Sequence, residues 1–240
     1  MASGSAMRNA TIDYGIHHLV PGGQEARPSE TALVVIDLTK FDAHPRHGYA
    51  TVMRDSGSDL SYYFTRVERE TIPNCVRLID EFRSYGGRLV WTRVGGQFDD
   101  YGDVQPNLRR IFRESGSQRG TDEYLELDEF VPRVGEAIVD KSGSSAFTSG
   151  NLDVVLRHAG VRNVAFCGVV TNACVLTSAL AAWDLGYSVQ IVGDGCASTS
   201  QEMHDAGLAV AEYLGCRITD TDTVINELAG IGNGSASRHR

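Results

Sequence analysis

Apolar runs rich in β-branched residues recur along the chain as ALVVI at 32–36, RLVWT at 88–92, AIV at 137–139, NVAFCGVV at 163–170 and SVQIV at 188–192, with a weaker sixth run at 216–219. Continuous rather than alternating apolar runs are what strands buried on both faces look like. Helical periodicity fills the gaps at 65–85, 151–158, 172–185 and 201–214, and a glycine follows each stretch at Gly86, Gly160, Gly186 and Gly215. Glycine takes the left-handed conformation that ends a helix without steric cost. Strand alternating with helix implies crossover units. The pattern therefore predicts an α/β fold, a three-layer α/β/α sandwich on a six-stranded, mostly parallel sheet.

The rhythm breaks at 95–133, where GGQFDDYGD and RESGSQRGTDE are polar, glycine-rich and acidic. This stretch reads as a long excursion over the C-terminal edge of the sheet, a lid or an interface. Residues 1–28 and 231–240 are weakly patterned, so the expected organisation is an N-terminal arm, one domain over 29–230 and a flexible tail.

Composition narrows the function classes. A chain of 240 residues, 42% hydrophobic and 22% charged, can bury a large core. Its net charge of −9 removes the basic face that phosphate neutralisation needs, so no nucleic-acid partner is expected. No apolar run approaches ~18 residues and the N-terminus lacks a basic-apolar leader, which predicts no membrane span and a cytoplasmic protein. The five cysteines, Cys75, Cys167, Cys174, Cys196 and Cys216, are scattered without a C-x-x-C pair and are expected as free thiols.

In open α/β sheets, ligands bind beyond the carboxyl ends of the strands. Asp37 ends the first strand, Lys141 follows the third, and Thr171-Asn172-Ala173-Cys174 opens the helix after the fourth. Each has an ordinary alternative: Asp37 as a turn or cap residue, Lys141 as a surface lysine, Cys174 as a packed helix residue. A thiol in the first helical turn, however, feels the positive end of the backbone dipole, which favours the thiolate. Together the three suit acyl transfer: a sulfur nucleophile, a carboxylate proton shuttle and an ammonium between them. Main-chain N–H groups at the helix start would serve the oxyanion. No G-x-S-x-G elbow, phosphate-binding loop, H-E-x-x-H helix or dinucleotide fingerprint is present, and no cofactor is expected.

These residues, with ALVVIDLT, VDKSGSSAF and GVVTNAC in that order, resemble the isochorismatase-like cysteine hydrolases, and the likeness extends over most of the chain. That family includes nicotinamidases, N-carbamoylsarcosine amidases, maleamate amidases, ureidoacrylate amidohydrolases and biuret hydrolases. The resemblance implies strand order 3-2-1-4-5-6, Cys174 as nucleophile, Asp37 as proton shuttle and Lys141 as electrostatic partner. It also implies a cis peptide between Val169 and Val170, with the N–H groups of Val170 and Cys174 as the oxyanion hole, and a homo-oligomer, dimer or tetramer. Nicotinamidases carry a metal-binding Asp-x-His where this chain reads TRVGGQFDDYGD, so no metal is expected; His44 and His47 are surface candidates at most. Members acting on vinyl ethers commonly lack the cysteine, which favours C–N hydrolysis here over isochorismatase-type chemistry, with a nicotinamidase-like aromatic amide as a further alternative. In that strand order the third strand lies roughly 10 Å from the first, so the loop after Asp140 must bend back for Lys141 to reach Asp37.

The resemblance to the ureido and carbamoyl branch is strongest in SGSSAFTSGNLDVVLRHAGV and GVVTNACV, which points to a small amide or ureide as the partner molecule. Arg93 would suit a carboxylate on such a substrate. Asn172 either contacts it or caps the helix. Among the aromatic residues near strand ends, Phe41, Tyr63 and Phe147 are the candidates for the pocket wall, followed by Tyr62, Trp91 and Phe98, and each could instead be core packing.

Overall fold

The structure, a computed structural model, describes residues 27–236; the expected N-terminal arm, apart from its last two residues, and residues 237–240 of the expected tail lie outside the described residues. Six strands form one sheet: β1 (Thr31–Ile36), β2 (Arg88–Val94), β3 (Ala137–Lys141), β4 (Asn163–Val169), β5 (Ser188–Ala197) and β6 (Arg217–Thr219). Their spatial order is β3-β2-β1-β4-β5-β6 and all five pairings are parallel. The order reverses between β1 and β4, where in such sheets a ligand crevice opens.

Nine helices accompany the sheet among the described residues: α1 (Lys40–Ala43), α2 (Gly48–Asp55), α3 (Ser61–Arg66), α4 (Ile72–Tyr85), α5 (Pro106–Ser115), α6 (Leu152–His158), α7 (Leu176–Asp184), α8 (Gln201–Tyr213) and α9 (Thr221–Ala236). A π-helical turn, Val67–Thr71, runs α3 into α4, and a second, Thr171–Val175, runs into α7. Gly86 ends α4 with φ 71°, and the Gly87 N–H returns to the Phe82 carbonyl at 2.9 Å. Among these helices, none is long and apolar enough to cross a membrane.

All six residues of β1 are buried because the strand is covered on both faces. Leu33 and Val35 pack with Leu78 and Phe82 of α4 and Val224 and Leu228 of α9. Ala32, Val34 and Ile36 pack the other way, with Leu152 and Leu156 of α6, Ala179 and Ala182 of α7 and Ala211 of α8. The strand period of two thus feeds two cores, which is why the run lacks polar alternation.

Two boundaries differ from those expected, and the excursion carries a helix. The stretch 231–240 is not tail throughout, since α9 continues to Ala236. The excursion contains a helix, α5, whose Phe112 builds a small core with Phe41, Val94, Tyr101 and Val104. The fifth strand continues past residue 192 to Ala197. The excursion is laced to the segment just after Asp37: the Lys40 N–H donates to the Leu125 carbonyl at 2.8 Å and the Leu127 N–H to the Leu38 carbonyl at 3.0 Å. Ion pairs tie the excursion further, Lys40–Asp122 to that segment, Arg93–Glu126 to β2 and Arg119–Asp140 to β3.

Candidate active site

Asp37, Lys141 and Cys174 meet at the carboxyl ends of β1, β3 and β4. Asp37 follows the last residue of β1 in a left-handed conformation, φ 50°, which aspartate tolerates better than most side chains. Its Oδ2 lies 2.7 Å from Lys141 Nζ, and both side chains have zero exposure. Its Oδ1 accepts from the Thr92 hydroxyl at 2.6 Å, while the Asp37 N–H donates back to that oxygen at 3.1 Å. Thr92 lies on β2, between the strands that carry the ion pair.

Lys141 does not sit in a loop that bends back. It is the last residue of β3, and its four-carbon stem crosses the end of β2 to reach Asp37. The ammonium pairs with Asp37 and donates hydrogen bonds to the Gly143 carbonyl at 2.8 Å and to Cys174 Sγ at 3.3 Å. Burial alone would lower its pKa, but the nearby charges of Asp37, Cys174 and Asp42 outweigh that and hold it above the ordinary lysine range.

Cys174 lies in the π-helical turn at the start of the α7 helix, directly after the cis peptide between Val169 and Val170 and the intervening Thr171–Ala173. The expected acidic thiol is not what the surroundings give. Although part of the residue reaches the surface, burial pushes the thiol up to about 12; Lys141 opposes the rise, and Asp37 and Asp42 add to it. The helix-start argument captured the dipole and missed the desolvation. Cys167 is fully buried, as are Cys75, Cys196 and Cys216, and all five thiols are free.

The remaining expected residues divide. Phe147 packs in the same apolar layer as Cys174, against Tyr187 at 6.0 Å between ring centroids. Tyr63 is buried with its hydroxyl donating to the Asp42 main-chain oxygen at 3.0 Å, and burial, then Asp42, Tyr49, Cys174 and Asp37 raise its pKa well above the usual range. Phe41 turns into the excursion's core, edge-on to Phe112 at 5.0 Å. Arg93 is a correction: its Nε and Nη2 each donate to Glu126 at 2.7 Å, so it binds the excursion instead of standing open to a substrate carboxylate. Asn172 makes no helix cap; its Oδ1 accepts from the Ser198 hydroxyl at 2.6 Å. Trp91 is buried and donates to Glu136 at 2.8 Å, Tyr62 bonds Gln201, and Phe98 is exposed. His44 stacks edge-on against His47, which pairs with Glu123 at 2.9 Å; among the described residues no group of three potential ligands is placed to hold a metal ion.

Sequence reasoning missed Thr92, Asp42 and His204. Thr92 becomes visible only once β2 is known to lie between β1 and β3. His204 of α8 bonds the Thr171 hydroxyl at 2.8 Å through Nδ1 and meets Arg66 Nη2 at 3.2 Å through Nε2. Because Arg66 can only donate, Nε2 accepts and Nδ1 carries the proton toward Thr171. A polar cleft of about 770 Å³ opens beside the loop after Lys141, bounded by Asp103, Gln105, Ser142, Ser145, Thr177 and Asp184; Cys174 and Asp37 do not line it.

Residues 31–223 match the family model of the isochorismatase domain. The chain belongs to the isochorismatase family. Among curated relatives of this family, it is 31% identical over 175 residues to the ureidoacrylate amidohydrolase RutB of Agrobacterium fabrum, covering 67% of this chain and 73% of that protein. Among solved isochorismatase-like structures, a cysteine hydrolase from Pseudomonas syringae pv. phaseolicola superposes with a TM-score of 0.73 at 21% identity, covering 87% of this chain and 96% of the other. N-carbamoylsarcosine amidase from Thermoplasma acidophilum superposes with a TM-score of 0.62 at 25% identity, covering 80% and 97%.

Proposed function

We propose that this isochorismatase-family chain is an amidohydrolase that cleaves a C–N bond of a small ureido or N-carbamoyl compound through a thioester on Cys174. One observation carries the reading: a fully buried ammonium, Lys141, bridges a carboxylate and a sulfur at the strand ends. The relatives named for ureidoacrylate and for N-carbamoylsarcosine support the substrate class.

The resting sulfur is a thiol, so the first step needs a base. Asp37 takes the S–H proton as sulfur bonds to the carbonyl carbon, and Lys141 stays an ammonium that balances the anion. The N–H groups of Val170 and Cys174 receive the oxyanion. Asp37 then gives its proton to the leaving nitrogen as the C–N bond breaks, releasing ammonia or an amine and leaving the thioester. Water attacks next, its proton passing to Asp37; the C–S bond breaks and the sulfur regains its proton.

The test is ammonia release from small ureides, carbamoyl amino acids, maleamate and nicotinamide, with wild-type protein and Cys174→Ala. Release from a ureide or carbamoyl compound that vanishes in Cys174→Ala is the expected result. Ammonia release that survives the substitution would end the thioester reading.

A further inference from the structure

Asp42 is a second acid within electrostatic reach of Asp37, Lys141 and Cys174, and the steps above do not use it. It lies on α1, five residues after Asp37. Thr39 accepts from its N–H at 3.5 Å and Tyr63 donates to its main-chain oxygen, so the backbone is held. The side chain is not held in the same way: its Oδ2 is shielded from solvent and has no hydrogen-bond partner. A buried polar oxygen left without a partner is costly and uncommon in a folded protein, and calls for a group that completes its bonding. The groups that act on Asp42, or on which its charge acts, are Asp37, Lys141, Cys174, Tyr49 of α2 and Tyr63 of α3.

Burial, and then the Asp37 carboxylate, push Asp42 well above the usual carboxylate range, with Lys141 opposing. The neutral acid is the favoured form in such a setting. A carboxylic acid presents one donor and one acceptor in a plane. Its complement is a planar group with an N–H and a C=O side by side, which a ureide or carbamoyl group offers and a guanidinium does not.

We propose that the Asp42 carboxyl is a specificity residue that pairs with the adjacent N–H and C=O of a ureide or carbamoyl substrate. The carbonyl oxygen keeps its second lone pair for main-chain N–H groups. This rests on the amidohydrolase reading and adds the residue that selects the substrate.

Calorimetric titration of the full chain carrying Cys174→Ala tests it with two isosteric probes, N-carbamoylglycine and guanidinoacetate. At neutral pH the ureide binds at least about tenfold tighter than the guanidinium. Adding Asp42→Ala removes about tenfold of ureide affinity, whereas Asp42→Asn, which keeps a donor and an acceptor, stays within about threefold. Infrared spectra of the wild type show a protonated-carboxyl band that Asp42→Asn lacks. Tighter guanidinoacetate binding, binding of neither probe, no effect of Asp42→Ala, or no such band in the wild type would each overturn the proposal. Ammonia release by the wild type is scored separately, so failure of the reaction reading and failure of the Asp42 assignment register in different assays.

Discussion

Lys141 is the buried cation paired with Asp37, so its loss leaves that carboxylate buried and uncompensated. Lys141→Ala is expected to cost about 3–5 kcal/mol in urea denaturation and to abolish ammonia release. Cys174 gives a prediction in pH. A thiol raised from its ordinary 9.0 to about 12 holds its proton more tightly in the folded chain. Its alkylation by iodoacetamide should therefore be slow at neutral pH and climb about tenfold per pH unit well past 9. The same group makes the fold less stable as pH rises through that window. An alkylation rate already level near neutrality would contradict this. The sequence made Asp37 and Cys174 legible because each stands at or just after a strand end; protonation state was not legible, because it depends on burial by segments distant in the chain. Arg93 was misread for a related reason, since its partner Glu126 lies 33 residues further on in a stretch without periodicity.

At the level of elements, the turn that carries Cys174 is propped from α8. His204 is held down from its ordinary 6.5 to about 4, first by burial and then by Arg66, with Asp205 opposing. A histidine kept neutral in the fold but protonated in the unfolded chain subtracts stability as pH falls from about 6.5 to about 4, on the order of 3 kcal/mol in all. His204→Gln should flatten that acid limb in urea denaturation followed across the range; an unchanged limb would show that other groups set it. Gly168 is the tight point between β1 and β4: with φ 107°, an added Cβ would lie 2.0 Å from the Ile36 carbonyl oxygen. Gly168→Ala is expected to lose about 3 kcal/mol or more, or not to fold, by thermal melting. Glycine also explains a missed boundary. GDG at 193–195 has turn composition, yet Gly195 there lets β5 pass close to Cys167, where a Cβ would meet the Cys167 Cβ at 3.2 Å. The short α1 and α2 and the first turn of α3 escaped notice because one or two turns give too few apolar repeats to read, and α5 because it is mostly polar.

For the whole molecule, the parallel sheet followed from strand-helix alternation and its order from the family resemblance, and the observed sheet bears out both. The reach of Lys141 did not follow, because distance across a sheet was counted between backbones while a lysine stem can span one strand. The excursion closes over the same rim through its lacing to residues 38–40, and Arg93–Glu126 is its innermost fastening, with side chains 19% and 6% exposed. Glu126→Ala should free Arg93 and raise protease cleavage within 95–133 several-fold while the core melts nearly unchanged; equal cleavage rates would show that the lacing alone holds the segment.

These fastenings are graded from inside to outside. Arg119, paired with Asp140, is 66% exposed, and Asp122, paired with Lys40, is 62% exposed. Dissolved electrolyte screens outer pairs first and scarcely touches the inner one. Brine would thus loosen the excursion from its outer margin inward, before the β-layer beneath responds at all.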